Sequence, residues 1–201
     1  MSVQAVIFDL AGVVLHTIRG SFAGLMAERL GVGEEDTTRL LGTKENDMWD
    51  LDELTDDEFF TFALETLNLP MTMKPILEKF VVDDFYIDQE ILAYIRQLRE
   101  STTTALLTNF PSHVHTYMRK EWRVDGAFDH IIASCDVKLI KPDPKIYQLT
   151  LERLGCRAEE TIFIDDRPVN VRAAEKLGIQ GIVFESKAQM FEALDALLSD
   201  K

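Results

Sequence analysis

Ala5-Val6-Ile7-Phe8-Asp9 is four apolar residues with no alternation, closed by a carboxylate. A strand without a polar face is one covered on both sides, as strands inside a parallel sheet are. Four further runs of the same kind follow: Thr104-Ala105-Leu106-Leu107, His130-Ile131-Ile132-Ala133, Thr161-Ile162-Phe163-Ile164 and Gly181-Ile182-Val183-Phe184. Helical spacing separates them. Ile91, Leu92, Ile95 and Leu98 precede the second run, and Val114, Tyr117, Met118 and Trp122 follow it, with Ser112 as the expected N-cap. Ile146, Leu149, Leu151 and Leu154 form the next pattern, opened by Pro144 and closed by Gly155. Val171, Ala174 and Leu177 then run to Gly178, and Met190, Phe191, Leu194, Leu197 and Leu198 predict a terminal amphipathic helix. Strand and helix alternate, which predicts an α/β fold: a doubly wound, Rossmann-like, mainly parallel five-stranded sheet.

The rhythm breaks after the first strand. Residues 1–15 and 89–201 read as core, and residues 16–88 as a helical insert without a strand. Phe22, Leu25, Met26 and Leu30 predict one helix of the insert. Thr55-Asp56-Asp57-Glu58 is a capping box that opens another, carrying Phe59, Phe60, Ala63, Leu64 and Leu67. Trp49, Trp122, Met71 and Met73 read as packing residues, and Arg19 as an exposed arginine. The acidic run Asp50, Asp52, Glu53, Asp56, Asp57 and Glu58 reads as a solvated face.

The chain has 201 residues and 21 basic against 35 acidic side chains, a net charge of −14. No cluster of Lys and Arg is present to displace counterions, so nucleic acid is excluded as a main partner and an anionic membrane surface is disfavoured. No stretch approaches the roughly 20 apolar residues of a membrane span. The start of the chain lacks a basic region, and its apolar run is broken by Asp9, so it is not expected to act as a signal peptide. Cys135 and Cys156 lack metal-type spacing and read as reduced thiols, which predicts a cytoplasmic protein. A monomer and a weak homodimer are both consistent with the sequence.

Ligands of open α/β sheets sit beyond the carboxyl ends of the strands. Asp9 follows the first strand, Thr108 and Asn109 the second, Lys141-Pro142 the loop after the third, and Asp165-Asp166 the fourth. Three carboxylates brought to one rim repel one another and require a cation. Oxygen donors without His or Cys favour Mg²⁺. A carboxylate beside Mg²⁺ and a lysine is suited to attack phosphorus.

These four segments resemble the haloacid dehalogenase-like hydrolase superfamily, in which phosphatases predominate. The resemblance rests on Val6-Ile7-Phe8-Asp9-Leu10, Leu106-Leu107-Thr108-Asn109, Lys141-Pro142-Asp143-Pro144-Lys145-Ile146-Tyr147 and Phe163-Ile164-Asp165-Asp166-Arg167-Pro168-Val169-Asn170, in the superfamily's order. The sequence is similar to sugar-1-phosphate phosphatases and to the N-terminal phosphatase domains of epoxide hydrolases. The resemblance implies that the insert is a helical cap of the C1 type. It implies Asp9 as a nucleophile that forms an aspartyl phosphate and ligates Mg²⁺. It implies Thr108, Asn109 and Lys141 as phosphate-binding groups, with Thr108 and Lys141 also catalytic. Asp165, Asp166 and the backbone carbonyl of Ala11 are implied as further Mg²⁺ ligands, and Asn170 as a support of their loop. The implied substrate is a small phosphorylated metabolite, most specifically a sugar 1-phosphate.

One position departs from the pattern. The superfamily's phosphatases usually carry a second Asp two residues after the nucleophile, and here that residue is Ala11. General acid–base help is worth about 10²–10⁴-fold, or roughly 3–5 kcal/mol. Its loss should favour leaving groups that need little protonation, such as anomeric and acyl phosphates, and should let phosphoenzyme accumulate. A substitute is expected from His16, His113, His115 or the cap. Two other readings stay open: a 2-haloacid dehalogenase-type hydrolase, which also lacks the second Asp, and a low-turnover phosphate-binding or regulatory relative. The paired Asp165-Asp166 favours the metal-dependent phosphatase.

Overall fold

The computed structural model describes residues 2–199, apart from the side chains of residues 81–83 and 125. Strand β1 (Ala5–Phe8) is completely buried. A short strand β2 (Leu15–Thr17) leads to helices α1 (Phe22–Leu30), α2 (Glu34–Leu41), α3 (Lys44–Asp50), α4 (Asp56–Thr66) and α5 (Lys74–Asp83), and β3 (Phe85–Ile87) returns the chain. Then come α6 (Gln89–Leu98), β4 (Thr103–Thr108), the short α7 (Val114–Thr116), β5 (His130–Ala133) and α8 (Ser134–Val137). The chain closes with α9 (Pro144–Leu154), β6 (Thr161–Asp165), α10 (Pro168–Glu175), β7 (Gln180–Val183) and α11 (Lys187–Ser199). No helix among the described residues is long and apolar enough to cross a membrane.

The main sheet has the order β5-β4-β1-β6-β7, and all its pairs are parallel. Ile7 stands level with Ala105 of β4 and Phe163 of β6, so β1 is central. Side chains alternate between two cores, as the period of a strand demands. Val6, Phe8, Leu106, Ile162 and Ile164 join Ile91, Ile95, Met190 and Leu194 of α6 and α11 on one face. Ile7, Ala105, Leu107 and Phe163 join Ile146 and Tyr147 of α9 and Ala174 of α10 on the other. The five strand runs therefore lack polar faces because helices cover both sides of the sheet. The chain builds β4 and β5 on one side of β1, then crosses to build β6 and β7 on the other. The carboxyl ends of β1, β4 and β6 flank that reversal of order, where open α/β sheets form their clefts.

The expectation of an insert without strands is corrected. Leu15, His16 and Thr17 pair antiparallel with Ile87, Tyr86 and Phe85, a two-stranded ribbon at the two ends of the helical segment. Three-residue strands leave too short a pattern for alternation to register. Helices α2 and α3 also lack a readable apolar stripe; of the eight residues of α2, only Thr37 and Leu40 are buried. Ser112 is not the N-cap of α7: His113 occupies that position, without a side-chain cap, and the Ser112 N–H donates instead to Asp52 Oδ1 at 2.9 Å. Met71 is exposed and is not core, while Met73 packs against the core.

The capping box forms as expected. Thr55 Oγ1 accepts from the Glu58 N–H at 3.3 Å, and the Glu58 carboxylate accepts from the Thr55 N–H at 2.8 Å. Trp49 stacks on Phe59 with ring centroids 4.3 Å apart and donates from Nε1 to Asp56 Oδ1 at 2.8 Å. Trp122 is buried, and Arg19 is exposed and paired with Glu28.

Candidate active site

Asp9 begins the loop after β1. Its N–H donates to the Ile164 carbonyl of β6 at 2.9 Å, which extends the strand ladder by one residue and fixes the carboxylate over the sheet end. Asp9 Oδ1 accepts from the Leu10 N–H at 2.7 Å. Lys141 Nζ lies 2.7 Å from Asp9 Oδ1 and 2.7 Å from Asp165 Oδ2, so one ammonium bridges the two strand-end carboxylates. All three side chains are buried.

Neighbouring groups hold these three residues in place. The Asn109 Nδ2 group donates to the Lys141 carbonyl at 3.0 Å, and Asn109 Oδ1 accepts from the Lys141 N–H at 2.9 Å. The Asn109 side-chain amide thus holds the lysine loop. Asn170 Nδ2 donates to both Asp165 oxygens at 3.0 Å, and the Arg167 N–H donates to Asp165 Oδ1 at 2.8 Å. The buried Tyr147 hydroxyl holds the Asn170 carbonyl at 3.0 Å. Thr108, buried, closes β4, the neighbour of β1.

Asp9, Asp165 and Asp166 each bring a carboxylate oxygen within 4.8 Å of the others. Gly12, at φ +86°, lies against the Asp166 carboxylate, and a Cβ there would collide with it. Only a residue without a side chain allows this approach. Ala11 bridges to Leu15 inside the same loop.

The electrostatics follow from crowding. Burial raises the Asp9 carboxyl well above the usual range; Lys141 opposes this and Asp165 adds to it. Burial also pushes Asp165 up, but Lys141, the Arg167 N–H and Asp9 together outweigh it and hold Asp165 low. Lys141 is desolvated too, yet the two aspartates keep it charged. Burial, then the Asp165 charge, raises Asp166. Three carboxylates facing one contacting lysine leave negative charge uncompensated, and the donors are all oxygens. That donor set fits a hard divalent cation such as Mg²⁺.

The histidines stand apart from this rim. His16 lies between the Tyr86 and Phe184 rings, His113 Nδ1 is 3.2 Å from Asp56 Oδ1, and His115 Nε2 is 3.0 Å from Asp136 Oδ1. The acidic run is not simply a solvated face. Asp56 receives Trp49, Asp52 receives the Ser112 N–H, and Asp50 is half-buried, its charge in range of Lys141 and Arg167. Sequence reasoning missed Asp50, because a lone carboxylate in a polar seven-residue helix carries no periodic signal.

A family model described as a haloacid dehalogenase-like hydrolase matches residues 3–178. The chain is 28% identical to (S)-2-haloacid dehalogenase 4A from Burkholderia cepacia, over 90% of this chain and 82% of that protein. It is 26% identical to a phosphorylated carbohydrates phosphatase from Thermotoga maritima, over 89% of this chain and 83% of that protein. It also matches 7% of the length of acyl-CoA dehydrogenase family member 10 from Mus musculus, at 41% identity over 71 residues. Among solved structures, a HAD family enzyme from Bacteroides thetaiotaomicron, in complex with magnesium and inorganic phosphate, superposes with a TM-score of 0.75. The two are 22% identical over 94% of this chain and 100% of that one.

Proposed function

The chain belongs to the haloacid dehalogenase-like hydrolase family, and from that premise we propose that it is a Mg²⁺-dependent phosphatase acting on a small phosphorylated metabolite, with a sugar 1-phosphate as the most specific candidate. One observation carries the reading: three carboxylates converge within 4.8 Å at the strand ends, with Lys141 bridging two of them.

Asp9 is the nucleophile in this reading. Its backbone is tied to β6, so the carboxylate is oriented before substrate arrives, and orientation of this kind removes much of the entropic barrier. Lys141 lowers the charge of Asp9 and of an incoming phosphoryl group. Asn109 positions Lys141, and Asn170 and Arg167 position Asp165. Thr108 offers a hydroxyl to a phosphoryl oxygen. Asp9, Asp165, Asp166 and the Ala11 carbonyl would hold Mg²⁺. When bound, it would neutralise charge on the phosphoryl oxygens. Residues 16–88 form the cap in this reading, and the β2–β3 ribbon joins cap to core. Ala11 leaves the core rim without a proton donor at that position, which favours anomeric phosphates over simple alkyl phosphates.

The resemblance to (S)-2-haloacid dehalogenase 4A, together with Ala11, supports a second reading as a 2-haloacid dehalogenase. One panel separates the two. Phosphate release is measured from sugar 1-phosphates, sugar 6-phosphates, acetyl phosphate and an aryl phosphate, with and without Mg²⁺. Halide release is measured from 2-haloacids without metal. The phosphatase reading expects Mg²⁺-dependent phosphate release that Asp9→Asn abolishes. Halide release without metal, and no phosphate release, selects the dehalogenase.

A further inference from the structure

Resting on the phosphatase reading, we propose that Asp50, on the helical segment, is the proton donor and acceptor that the catalytic rim lacks at Ala11.

The rim itself offers no such group. Asp9 and Asp165 face Lys141, Asp166 belongs to the carboxylate cluster, and Lys141 is locked between two carboxylates. His16 packs between aromatic rings, and His113 Nδ1 and His115 Nε2 face Asp56 and Asp136, although His113 Nε2 is buried without a hydrogen-bond partner among the described residues.

Asp50 is the last residue of α3 and is anchored to the catalytic end of the sheet by its own backbone. Its carbonyl accepts from Ser134 Oγ at 2.5 Å, at the start of α8. That hydroxyl also accepts from the Phe110 N–H at 2.9 Å, two residues beyond Thr108. The next two residues are pinned as well. The Leu51 carbonyl accepts from Lys138 Nζ, and Asp52 Oδ1 accepts from the Ser112 N–H at 2.9 Å. Three consecutive residues of the helical segment are therefore fastened to the loops after β4 and β5, the end of the sheet that carries Asp9. Anchoring of this density holds a side chain to a reacting centre instead of leaving it on a mobile surface.

The Asp50 carboxyl is half-buried. It accepts from Asn46 Nδ2 at 3.3 Å and is in electrostatic range of Asp47 on α3, Lys141 before α9 and Arg167 before α10. Burial, with the Asp47 charge, raises it; Lys141, Arg167 and Asn46 oppose, and the balance stands at about 7. A group that gives a proton and then takes one back works best when both forms are populated near working pH.

The step balances. Asp9 attacks phosphorus, the bond from phosphorus to the substrate oxygen breaks, and that oxygen takes the Asp50 proton. The products are an alcohol, an aspartyl phosphate and an Asp50 carboxylate. Water then attacks the phosphorus, its proton passes to Asp50, and Asp9 leaves as a carboxylate with release of inorganic phosphate.

The test compares wild type, Asp9→Asn, Asp50→Asn, Asp47→Asn and His113→Gln, each with Mg²⁺, on a sugar 1-phosphate and on acetyl phosphate. Folding is checked by circular dichroism. Asp50→Asn should slow turnover of the sugar 1-phosphate about 10²–10⁴-fold, and the wild-type loss of rate above about pH 7 on that substrate should disappear. Acetate needs no proton to leave, so acetyl phosphate should still give a burst of about one acetate per enzyme, followed by slow turnover. Equal slowing of the first turnover on both substrates, no effect, or the same signature in Asp47→Asn or His113→Gln overturns the assignment to Asp50. Absence of Mg²⁺-dependent release from wild type overturns the phosphatase reading, and the assignment with it. Release that Asp9→Asn abolishes, with the first turnover of Asp50→Asn indifferent to the leaving group, overturns the assignment alone.

Discussion

Asp50 and Lys141 show how the same cost, burial of charge, is met in two ways. Lys141 is buried between two carboxylates and stays ionised because they outweigh desolvation. Asp50 has no contacting cation among the described residues, so burial and Asp47 win and its carboxyl rises to about 7. A raised carboxyl favours the folded state only where it is protonated. Below about pH 4 both states are protonated and the group is neutral for stability. Between about pH 4 and 7 the unfolded chain ionises first, so stability falls as pH rises. Above about pH 7 the loss is complete and amounts to about 4 kcal/mol at most. Asp50→Asn should therefore melt higher than wild type at about pH 8 in EDTA, and the gap should close towards about pH 4. An equal gap at both pH values would show that the burial of Asp50 carries no charge penalty. A catalytic group held at the expense of stability is a common trade at active sites.

At the scale of elements, the loop after β1 decides how tightly the site closes. Gly12 combines a positive φ with contact to the Asp166 carboxylate, so both its backbone and its missing side chain are required. Gly12→Ala should displace Asp166. Disturbing the support of a metal ligand typically costs about 10–100-fold in affinity. The expected result is a rise of that order in half-saturating Mg²⁺, read from phosphate release against Mg²⁺ concentration. An unchanged Mg²⁺ dependence would separate Asp166 from the metal. The α4 capping box is a simpler device. Thr55→Ala removes the hydroxyl that accepts from the Glu58 N–H and should cost about 1 kcal/mol in urea unfolding.

At the scale of the whole molecule, charge and ligand binding meet. The net charge is −14, and it includes the carboxylate cluster at the sheet end, with Asp9 and Asp165 buried and Asp166 exposed. A cation that binds only the folded chain stabilises it by mass action, about 2.7 kcal/mol at 100 times its Kd. For a chain of this length each kcal/mol moves Tm by roughly 2–4 °C. Saturating Mg²⁺ should raise Tm by about 5–10 °C in wild type and by much less in Asp165→Asn. The same rise in both would mean general screening of surface charge and no specific site.

The strand runs, their parallel pairing and the rim residues were legible before any fold was known. Ala5–Phe8, residues 131–133 and the runs around Leu106, Phe163 and Ile182 are apolar, and only a sheet covered on both faces buries such runs. A carboxylate or hydroxyl directly after an apolar strand is equally legible, because chain direction alone puts it at the carboxyl end. Other features exist only once distant segments meet. The β2–β3 ribbon joins residues about 70 positions apart through three-residue strands, too short to show a period. Asn109 holds Lys141 across 32 residues of sequence, a pairing that no local pattern encodes. Asp50 reads as one more charge in a solvated run. Its carbonyl meets Ser134, 84 residues away, and the resulting burial turns an ordinary carboxylate into a group that titrates near neutrality. Local sequence sets which atoms a residue carries, but desolvation depends on what the rest of the chain places around them.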